Sequence, residues 1–226
     1  MNRQGLCRWL LAATCIALPA GCGSDPVQTS PDERAVTLRT TACGHASRTT
    51  GSGVVVDDGL VLTAAHVVAG ATDVLVETPS DVASTVVLID RSRDLALLAV
   101  PGVDAQPPDI VELDAGQDVR IVGAASSGTV DATVERRLTM QVDDVRRATR
   151  SQRAGYELDA AISGGDSGAG VFDDEGRLAA IVFAVPTTRD RATFAVGARE
   201  IDTVLTSPDR VDHVCDPDRS EVVPVE

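Results

Sequence analysis

The strongest constraint on the fold of this chain is a long series of short apolar or alternating segments separated by turn signals. These segments are 35–39, 53–56, 60–63, 74–77, 85–89, 95–100, 119–122, 132–140, 156–158, 170–172, 178–185 and 193–196. Such spacing is typical of sandwiches and barrels. The sequence therefore predicts an all-β protein, best described as two small β-barrels, followed by a short helix over 198–206.

Polar segments rich in proline or glycine divide the chain into regions. Residues 22–34 predict a flexible tether before the first strand, and residues 104–117 predict the connection between the two barrels. We expect the folded domain to span residues 35–215 and a polar tail to occupy residues 216–226.

The first 21 residues have the features of a signal peptide. Arginines precede an apolar run over 9–18, which is shorter than the roughly 20 residues of a membrane-spanning helix, and small residues follow it. Cys22 then stands where the lipid-carrying cysteine of bacterial lipoproteins stands, a resemblance from which Pro19 departs. We expect an exported protein, either attached to the membrane through lipid on Cys22 or secreted after ordinary cleavage.

Charge and aromatic content exclude one class of partner. The chain has 34 acidic residues against 20 basic ones, all of them Arg, for a net charge of -14. It therefore lacks the general basic field that attracts a nucleic-acid backbone. With one Trp, one Tyr and three Phe it also lacks platforms for stacking bases. We expect no nucleic-acid partner.

The cysteines of an exported chain are interpreted in pairs. Cys7 and Cys15 belong to the predicted signal peptide and Cys22 to the lipid site, which leaves Cys43 and Cys215. An oxidising compartment favours a disulfide between these two, and two buried thiols are the alternative. Because no CxxC pair or His/Cys cluster occurs, we expect neither a metal nor a cofactor.

Three local patterns carry residues suited to nucleophilic catalysis. Residues 63–66 read Thr-Ala-Ala-His at the end of a predicted strand, and Asp94 begins another strand. Residues 163–170 form a glycine-dense loop around Ser167. Each pattern alone also fits a structural role. The glycines permit positive φ, which lets backbone N–H groups turn toward a substrate oxyanion.

Together, in the order His, Asp, Ser, the three patterns resemble the motifs of chymotrypsin-fold (trypsin-like) serine proteases. The resemblance covers roughly residues 35–206 and implies two six-stranded antiparallel barrels. It implies that His66 is the general base, oriented by the carboxylate of Asp94, and that Ser167 is the nucleophile. The N–H groups of Gly165 and Ser167 would form the oxyanion hole, and the substrates would be proteins or peptides.

The spacing of the motifs is similar to that of bacterial envelope proteases of the HtrA type. His66 and Asp94 are 28 residues apart, and residues 51–56 read Gly-Ser-Gly-Val-Val-Val. Few residues follow the last predicted element, so we expect a protease domain without a PDZ domain. The pair formed by Cys43 and Cys215 is similar to that of periplasmic, membrane-tethered members.

The same resemblance places the substrate pocket. Its floor lies six residues before Ser167, at Ala161, and its walls lie near Phe183, Ala184 and Phe194. Because no acidic floor is present, we expect a small or medium aliphatic residue at P1 rather than Arg or Lys.

Two groups of arginines carry further expectations. Family members with an Ile-Val-Gly-Gly start pair a freed amine with the Asp before the nucleophile, and this chain has no such start. One of Arg136, Arg137, Arg146 and Arg147 would instead pair with Asp166. The alternative is that Asp166 accepts only backbone hydrogen bonds.

A cluster of arginines in a predicted loop, Arg146, Arg147, Arg150 and Arg153, is interpreted as solvated surface, with steering of acidic substrates as the alternative.

Two functions remain open at this stage. The intact set of motifs favours an active endopeptidase in envelope protein processing or quality control. Ala169 and Gly170 replace the Gly-Pro that follows the nucleophile in digestive members. That departure leaves room for a catalytically silent lipoprotein that binds a peptide or a protein. The sequence does not indicate the oligomeric state.

Overall fold

The computed structural model describes residues 29–42, 48–77, 80–124, 128–144, 149–184 and 191–207. The first six strands are β1 (Ala35–Ala42), β2 (Arg48–Asp57), β3 (Leu60–Ala64), β4 (Ala71–Glu77), β5 (Val82–Asp90) and β6 (Leu95–Ala99). The next six are β7 (Asp118–Val122), β8 (Thr129–Asp144), β9 (Thr149–Leu158), β10 (Gly170–Phe172), β11 (Leu178–Ala184) and β12 (Thr193–Gly197). Three short helices accompany them, α1 (Pro31–Arg34), α2 (Ala65–Val68) and α3 (Ala198–Leu205).

Each set of six strands closes into an antiparallel barrel. The first barrel has the order β1-β2-β3-β6-β5-β4, and β4 pairs back with β1. The second has the order β7-β8-β9-β12-β11-β10, and β10 pairs back with β7. Closure gives every strand of a barrel two paired neighbours, which limits the free sheet edges available for edge-to-edge association. The prediction of an all-β fold with two six-stranded barrels and a short C-terminal helix is confirmed.

Each barrel is filled by aliphatic side chains, since strand alternation sends every second residue inward. In β1 the alternation buries Val36 and Leu38 inside the first barrel. In β9 it buries Tyr156 and Leu158 inside the second barrel. The Tyr156 hydroxyl accepts the backbone N–H of Leu113 at 3.0 Å, which satisfies the polar end of the largest of these side chains.

A separate apolar cluster joins the two barrels. From the first barrel it contains Val54, Leu62 and Leu95, and from the second Phe172 and Ile181, all of them essentially inaccessible to solvent. Helix α3 adds Ile201 and Val204 to the same cluster. Because this cluster is continuous across the seam, residues on facing strands of the two barrels are held at fixed positions relative to one another.

The segment before β1 contacts both barrels. Arg34, only 3% exposed, donates from Nη1 to the carbonyl of Val55 at 3.2 Å and to that of Gln106 at 2.6 Å. On the other side, the hydroxyl of Thr129 donates to Asp32 at 2.7 Å. Residues 31–34 form a helical turn with a capping box, at the end of the segment predicted as a tether.

Several sequence expectations lie outside the described residues. These are the signal peptide over 1–21, the lipid site at Cys22, the disulfide between Cys43 and Cys215, and the tail over 216–226. In the part of the chain that the structure describes, none of the helices has the length and apolar character required to span a membrane.

Candidate active site

His66 lies near the interface between the two barrels, on a single turn of helix that follows β3. Buried Val67 and Val68 anchor this turn, α2, to the core, while the His66 side chain remains 45% exposed. The small residues Ala64 and Ala65 are both buried, and they let the strand turn into the helix without displacing its neighbours. His66 is therefore a solvent-accessible imidazole on a rigid support.

Asp94 contacts His66 twice. Its Oδ2 lies 2.8 Å from His66 Nδ1, and its Oδ1 accepts the backbone N–H of His66 at 2.9 Å. The carbonyl of Asp94 also accepts the N–H of Ala65 at 3.0 Å. This arrangement favours the tautomer with a proton on Nδ1, so that Nε2 carries the lone pair and can accept a proton.

The backbone of Asp94 has an uncommon conformation. With φ at 58°, Asp94 is the only non-glycine residue with positive φ among the described residues. Asp tolerates the left-handed region better than most residues because its short polar side chain can form local hydrogen bonds. The conformation ends the turn over 91–94, immediately before β6.

Ser167 lies in a tight loop before β10, residues 163–169, called here the Ser167 loop. Gly165 and Gly168 have φ of 103° and 89°, values that side chains rarely allow. The N–H of Gly168 donates to the carbonyl of Val182 at 2.8 Å, and that of Val182 donates to Ala169 at 2.9 Å. These bonds fix the C-terminal part of the Ser167 loop to β11.

Ser52, a buried residue of β2, fixes the same loop from the first barrel. Its N–H donates to the carbonyl of Ser167 at 2.8 Å, and its hydroxyl donates to the carbonyl of Gly165 at 3.0 Å. The same hydroxyl accepts the N–H of Ala124 at 3.2 Å, and the Ser52 carbonyl accepts the Thr63 hydroxyl at 2.7 Å. In the sequence, the phrase containing Ser52 resembles HtrA-type proteases but carries no signal of this contact.

Gly165 and Ser167 present two backbone donors. Within the described residues, neither N–H donates to a protein acceptor. Ser52 holds the carbonyl of Gly165, and this limits rotation of the peptide planes that flank it. Two such donors in one loop are the type of group that binds a developing oxyanion.

The structure places the three motif residues near the interface between the two barrels. Gly51 marks the convergence: a Cβ there would lie 2.5 Å from Val67 and 3.3 Å from the carbonyl of Ser167. Among the hydrogen bonds of the described residues, none joins the side chains of His66 and Ser167. Such bonds are often long without substrate and tighten in the reacting complex.

Asp166 is 1% exposed, and its Oδ2 accepts the N–H of Ser163 at 2.9 Å. This contact is a backbone hydrogen bond within the Ser167 loop. Arg136 instead pairs with Glu157 through Nη2 at 2.5 Å. Arg136 is therefore not the predicted partner of Asp166, because the long strand β8 turns this side chain toward β9.

Arg137 does not partner Asp166 either. It pairs with Glu112 and, at 3.4 Å, with Asp114. The two remaining candidates, Arg146 and Arg147, lie outside the described residues.

Part of the predicted substrate pocket comes together. The rings of Phe183 and Phe194 stack with centroids 6.5 Å apart, and both side chains are half-buried. Ala184 pairs with Phe194 in the register of β11 and β12. Ala161 is exposed beside Ala160, whose carbonyl accepts the hydroxyl of Thr193 at 2.9 Å.

Arg153 is a residue that sequence reasoning misplaced. It lies on β9, is 4% exposed, and its Nη1 stands 3.4 Å from Asp94 Oδ2. The interpretation of Arg153 as loop surface is wrong, because β9 extends further toward its N-terminus than the predicted segment 156–158. A signal existed: alternation from Tyr156 and Leu158 places residue 153 on the outer face of the barrel, together with Glu157.

The chain is similar in sequence to several known proteins. A family model described as a trypsin-like peptidase domain matches residues 51–181. The serine protease Rv3671c of Mycobacterium tuberculosis is 30% identical over 192 residues, covering 79% of this chain and 47% of that protein. The serine protease Do-like HtrA of Lactobacillus helveticus is 28% identical over 172 residues, covering 69% of this chain and 42% of that protein.

A solved structure shows the same fold. The crystal structure of the active form of the Rv3671c protease superimposes with a TM-score of 0.72 at 26% identity, covering 84% of this chain and 93% of that one. The chain spans about half the length of the curated relatives it matches.

Proposed function

The chain belongs to the trypsin-like peptidase family, and from this premise we propose that it is a serine endopeptidase that cleaves proteins or peptides. In this proposal Ser167 is the nucleophile, His66 the general base and Asp94 the orienting carboxylate. The observation that carries it is the double contact of Asp94, at 2.8 Å to Nδ1 and 2.9 Å to the N–H of His66. It fixes both the tautomer and the orientation of an exposed imidazole.

The reaction proceeds in two halves. In the first, Oγ of Ser167 attacks the scissile carbonyl while Nε2 of His66 takes its proton, and the N–H groups of Gly165 and Ser167 receive the oxyanion. The C–N bond then breaks, and Nε2 gives the proton to the leaving amine. In the second half, water attacks the acyl ester in the same way and restores Ser167. The bond from Ser167 to Nε2 is expected to form when the substrate enters.

The residue before the cleaved bond would enter the pocket predicted around Phe183 and Phe194. The stacked rings of Phe183 and Phe194 support an apolar wall, and exposed Ala161 leaves the floor without charge. We expect a small or medium aliphatic residue at P1. Cleavage of a peptide library, read by mass spectrometry, tests this. Enrichment of Arg or Lys at P1 would contradict it.

The cellular setting follows from the sequence signals. Residues 1–21 would direct export, and residues 22–34 would tether a domain spanning 35–215 to lipid on Cys22, with simple secretion as the alternative. A disulfide between Cys43 and Cys215 would then close the domain in an oxidising compartment. The proposed role is the processing or quality control of envelope proteins.

The direct test of the activity is labelling with a fluorophosphonate probe, which reacts only with an activated serine. We expect labelling at Ser167 that disappears in Ser167→Ala and falls by several powers of ten in rate in His66→Ala. Ser84→Ala is the matched control, because the Ser84 hydroxyl only donates to the carbonyl of Val74 on the first barrel. Folded protein that never labels would instead favour a silent peptide-binding domain.

A further inference from the structure

One buried cation at the seam is not used by the reaction described above. Nη1 of Arg153 lies 3.4 Å from Asp94 Oδ2, the same oxygen that lies 2.8 Å from Nδ1 of His66. Arg153 belongs to the second barrel, and the His66–Asp94 pair belongs to the first. One carboxylate oxygen therefore faces both the imidazole and a side chain that stays protonated in proteins.

The surroundings hold Arg153 in place. Its guanidinium carbon lies 5.1 Å from the centroid of the Phe183 ring, within the range of a cation–π contact. Its Nη2 reaches the carbonyl of Arg91 at 3.5 Å. Burial lowers the pKa of Arg153 from its ordinary value, and Asp94 acts in the opposite direction.

Two other carboxylates near Arg153, those of Asp90 and Glu200, pair with Arg93. Asp90 accepts Nη1 of Arg93 at 2.6 Å, and Glu200 Oε2 forms an ion pair with Arg93, 2.8 Å from its Nε. Glu200 also accepts the N–H of Ala154 at 3.1 Å. Within the described residues, Asp94 is the carboxylate with which Arg153 forms an ion pair. The guanidinium therefore acts mainly on the carboxylate that orients His66.

We propose that Arg153 is a positioning residue that holds Oδ2 of Asp94 and keeps His66 neutral to a lower pH than Asp94 alone would allow. The inference rests on the proposed function, which makes neutral His66 the base. Asp94 stabilises the imidazolium by opposite charge, and a cation on the same oxygen offsets part of that stabilisation. The peptidase would consequently retain activity further into the acidic range.

The test is an NMR titration of the imidazole. The chain has 3 histidines, so labelled His signals can be assigned with a His66→Gln variant. In Arg153→Gln we expect the His66 midpoint to rise by about one pH unit, the effect of removing one nearby cation. Arg153→Lys retains the cation and should restore much of the wild-type midpoint. Arg150→Gln is the matched control, since Arg150 is exposed on the same strand and its loss changes the net charge equally.

Kinetics provide the second readout. The acid limb of kcat/KM against pH should move upward with the midpoint in Arg153→Gln, and it should stay in place in the Arg150→Gln control. A purely structural role would lower activity at every pH without moving that limb. An unchanged midpoint in a folded Arg153→Gln protein overturns the proposal.

Loss of the cation leaves the Asp94 carboxylate without its arginine, and Arg153→Gln can fail to fold for that reason. The comparison is then made between Asp94→Asn and Asp94→Asn/Arg153→Gln, where no carboxylate remains at position 94. The direct repulsion between guanidinium and imidazolium persists in Asp94→Asn, so the double variant should still show the higher midpoint. Equal midpoints would overturn the proposal.

The titration needs no turnover, which separates the two proposals. A shifted midpoint without fluorophosphonate labelling would keep the coupling of Arg153 to His66 and reject the peptidase function. Labelling without a shift would reject the role of Arg153 alone.

Discussion

The backbone N–H of Ser52 donates to the carbonyl of Ser167 at 2.8 Å, so a strand of the first barrel holds the loop of the second barrel that carries the proposed nucleophile. The Ser52 hydroxyl adds a bond to Gly165 at 3.0 Å. His66 follows β3, the strand paired with β2 next to Ser52. The proposed base and the proposed nucleophile thus share one support, although they belong to different barrels.

Ser52→Ala should weaken both stability and activity. It removes the hydroxyl that serves the carbonyl of Gly165 and the N–H of Ala124, and a buried polar group left unpaired costs about 1–3 kcal/mol. The proposed oxyanion donors remain but are held less firmly, so we expect a loss in kcat smaller than the roughly 100-fold cost of deleting a donor. Urea unfolding and kcat measure the two effects, and Ser84→Ala is the control. Wild-type behaviour in Ser52→Ala would refute the supporting role.

Gly168→Ala should prevent stable folding of the Ser167 loop. A Cβ at Gly168 would lie 2.0 Å from the carbonyl oxygen of Ser52, and its φ of 89° disfavours any side chain. Overpacking and backbone strain each cost about 1–3 kcal/mol. Gly164→Ala, in the same loop with nothing within 4 Å of the new Cβ, should leave the thermal midpoint almost unchanged. Equal midpoints for the two variants would contradict this account.

Arg34→Met should destabilise the domain without touching the proposed active site. The guanidinium bonds to the carbonyls of Val55 and Gln106, and hydrogen bonds from a charged group contribute about 1.5–3 kcal/mol. For a domain of this size that corresponds to a loss of about 3–12 °C in the thermal midpoint. Arg48→Met, at an exposed position on β2, is the control. If both variants have the same thermal midpoint, α1 does not stabilise the junction of the barrels.

Asp90→Asn should reduce stability in a pH-dependent way. Burial acts to raise the pKa of Asp90, but hydrogen bonds from Ser92 and Arg93 outweigh it, so the pKa lies below its ordinary value. A lowered folded-state pKa stabilises the fold at pH values above the unfolded-state pKa of about 3.9. This contribution disappears as the pH falls through the folded-state pKa. The difference in the free energy of unfolding between the variant and wild type, measured in urea, should therefore be largest near neutral pH and should disappear in acid.

The control for this titration is Asp131→Asn, which removes an exposed carboxylate on the second barrel. The free energy of unfolding of Asp131→Asn should differ little from that of wild type at every pH. A constant gap for Asp90→Asn across the acid range would show that the charge of Asp90 does not stabilise the fold.

Most of the fold could be predicted because strands leave a local signal. Alternation in β1 and the apolar run of β6 identify their own elements without reference to the rest of the chain. The lengths of β8 and β9 could not be predicted, since their outer ends are polar and are held by pairing with each other. Cross-strand pairing here supplies what local composition does not.

The site divides in the same manner. His66, Asp94 and Ser167 stand in short phrases that can be recognised in sequence order, and the structure places His66 and Asp94 in contact. Arg153 carries no such phrase, and a basic residue near other arginines predicts solvent rather than a buried ion pair. The partner of a buried charge depends on which strands face each other, and this becomes visible only in the folded chain.

The sequence by itself determined the strand pattern and the order of the three proposed catalytic residues, because each depends on neighbouring residues along the chain. Tertiary structure alone decided that Ser52 holds the Ser167 loop, that Arg34 bridges β2 and the connection between the barrels, and that Arg153 lies against Asp94. These contacts join residues distant in sequence, at spacings with no period. They exist because the apolar cluster between the barrels packs the two barrels against each other. Polar groups that are buried by this packing then form hydrogen bonds or ion pairs with whichever residues face them.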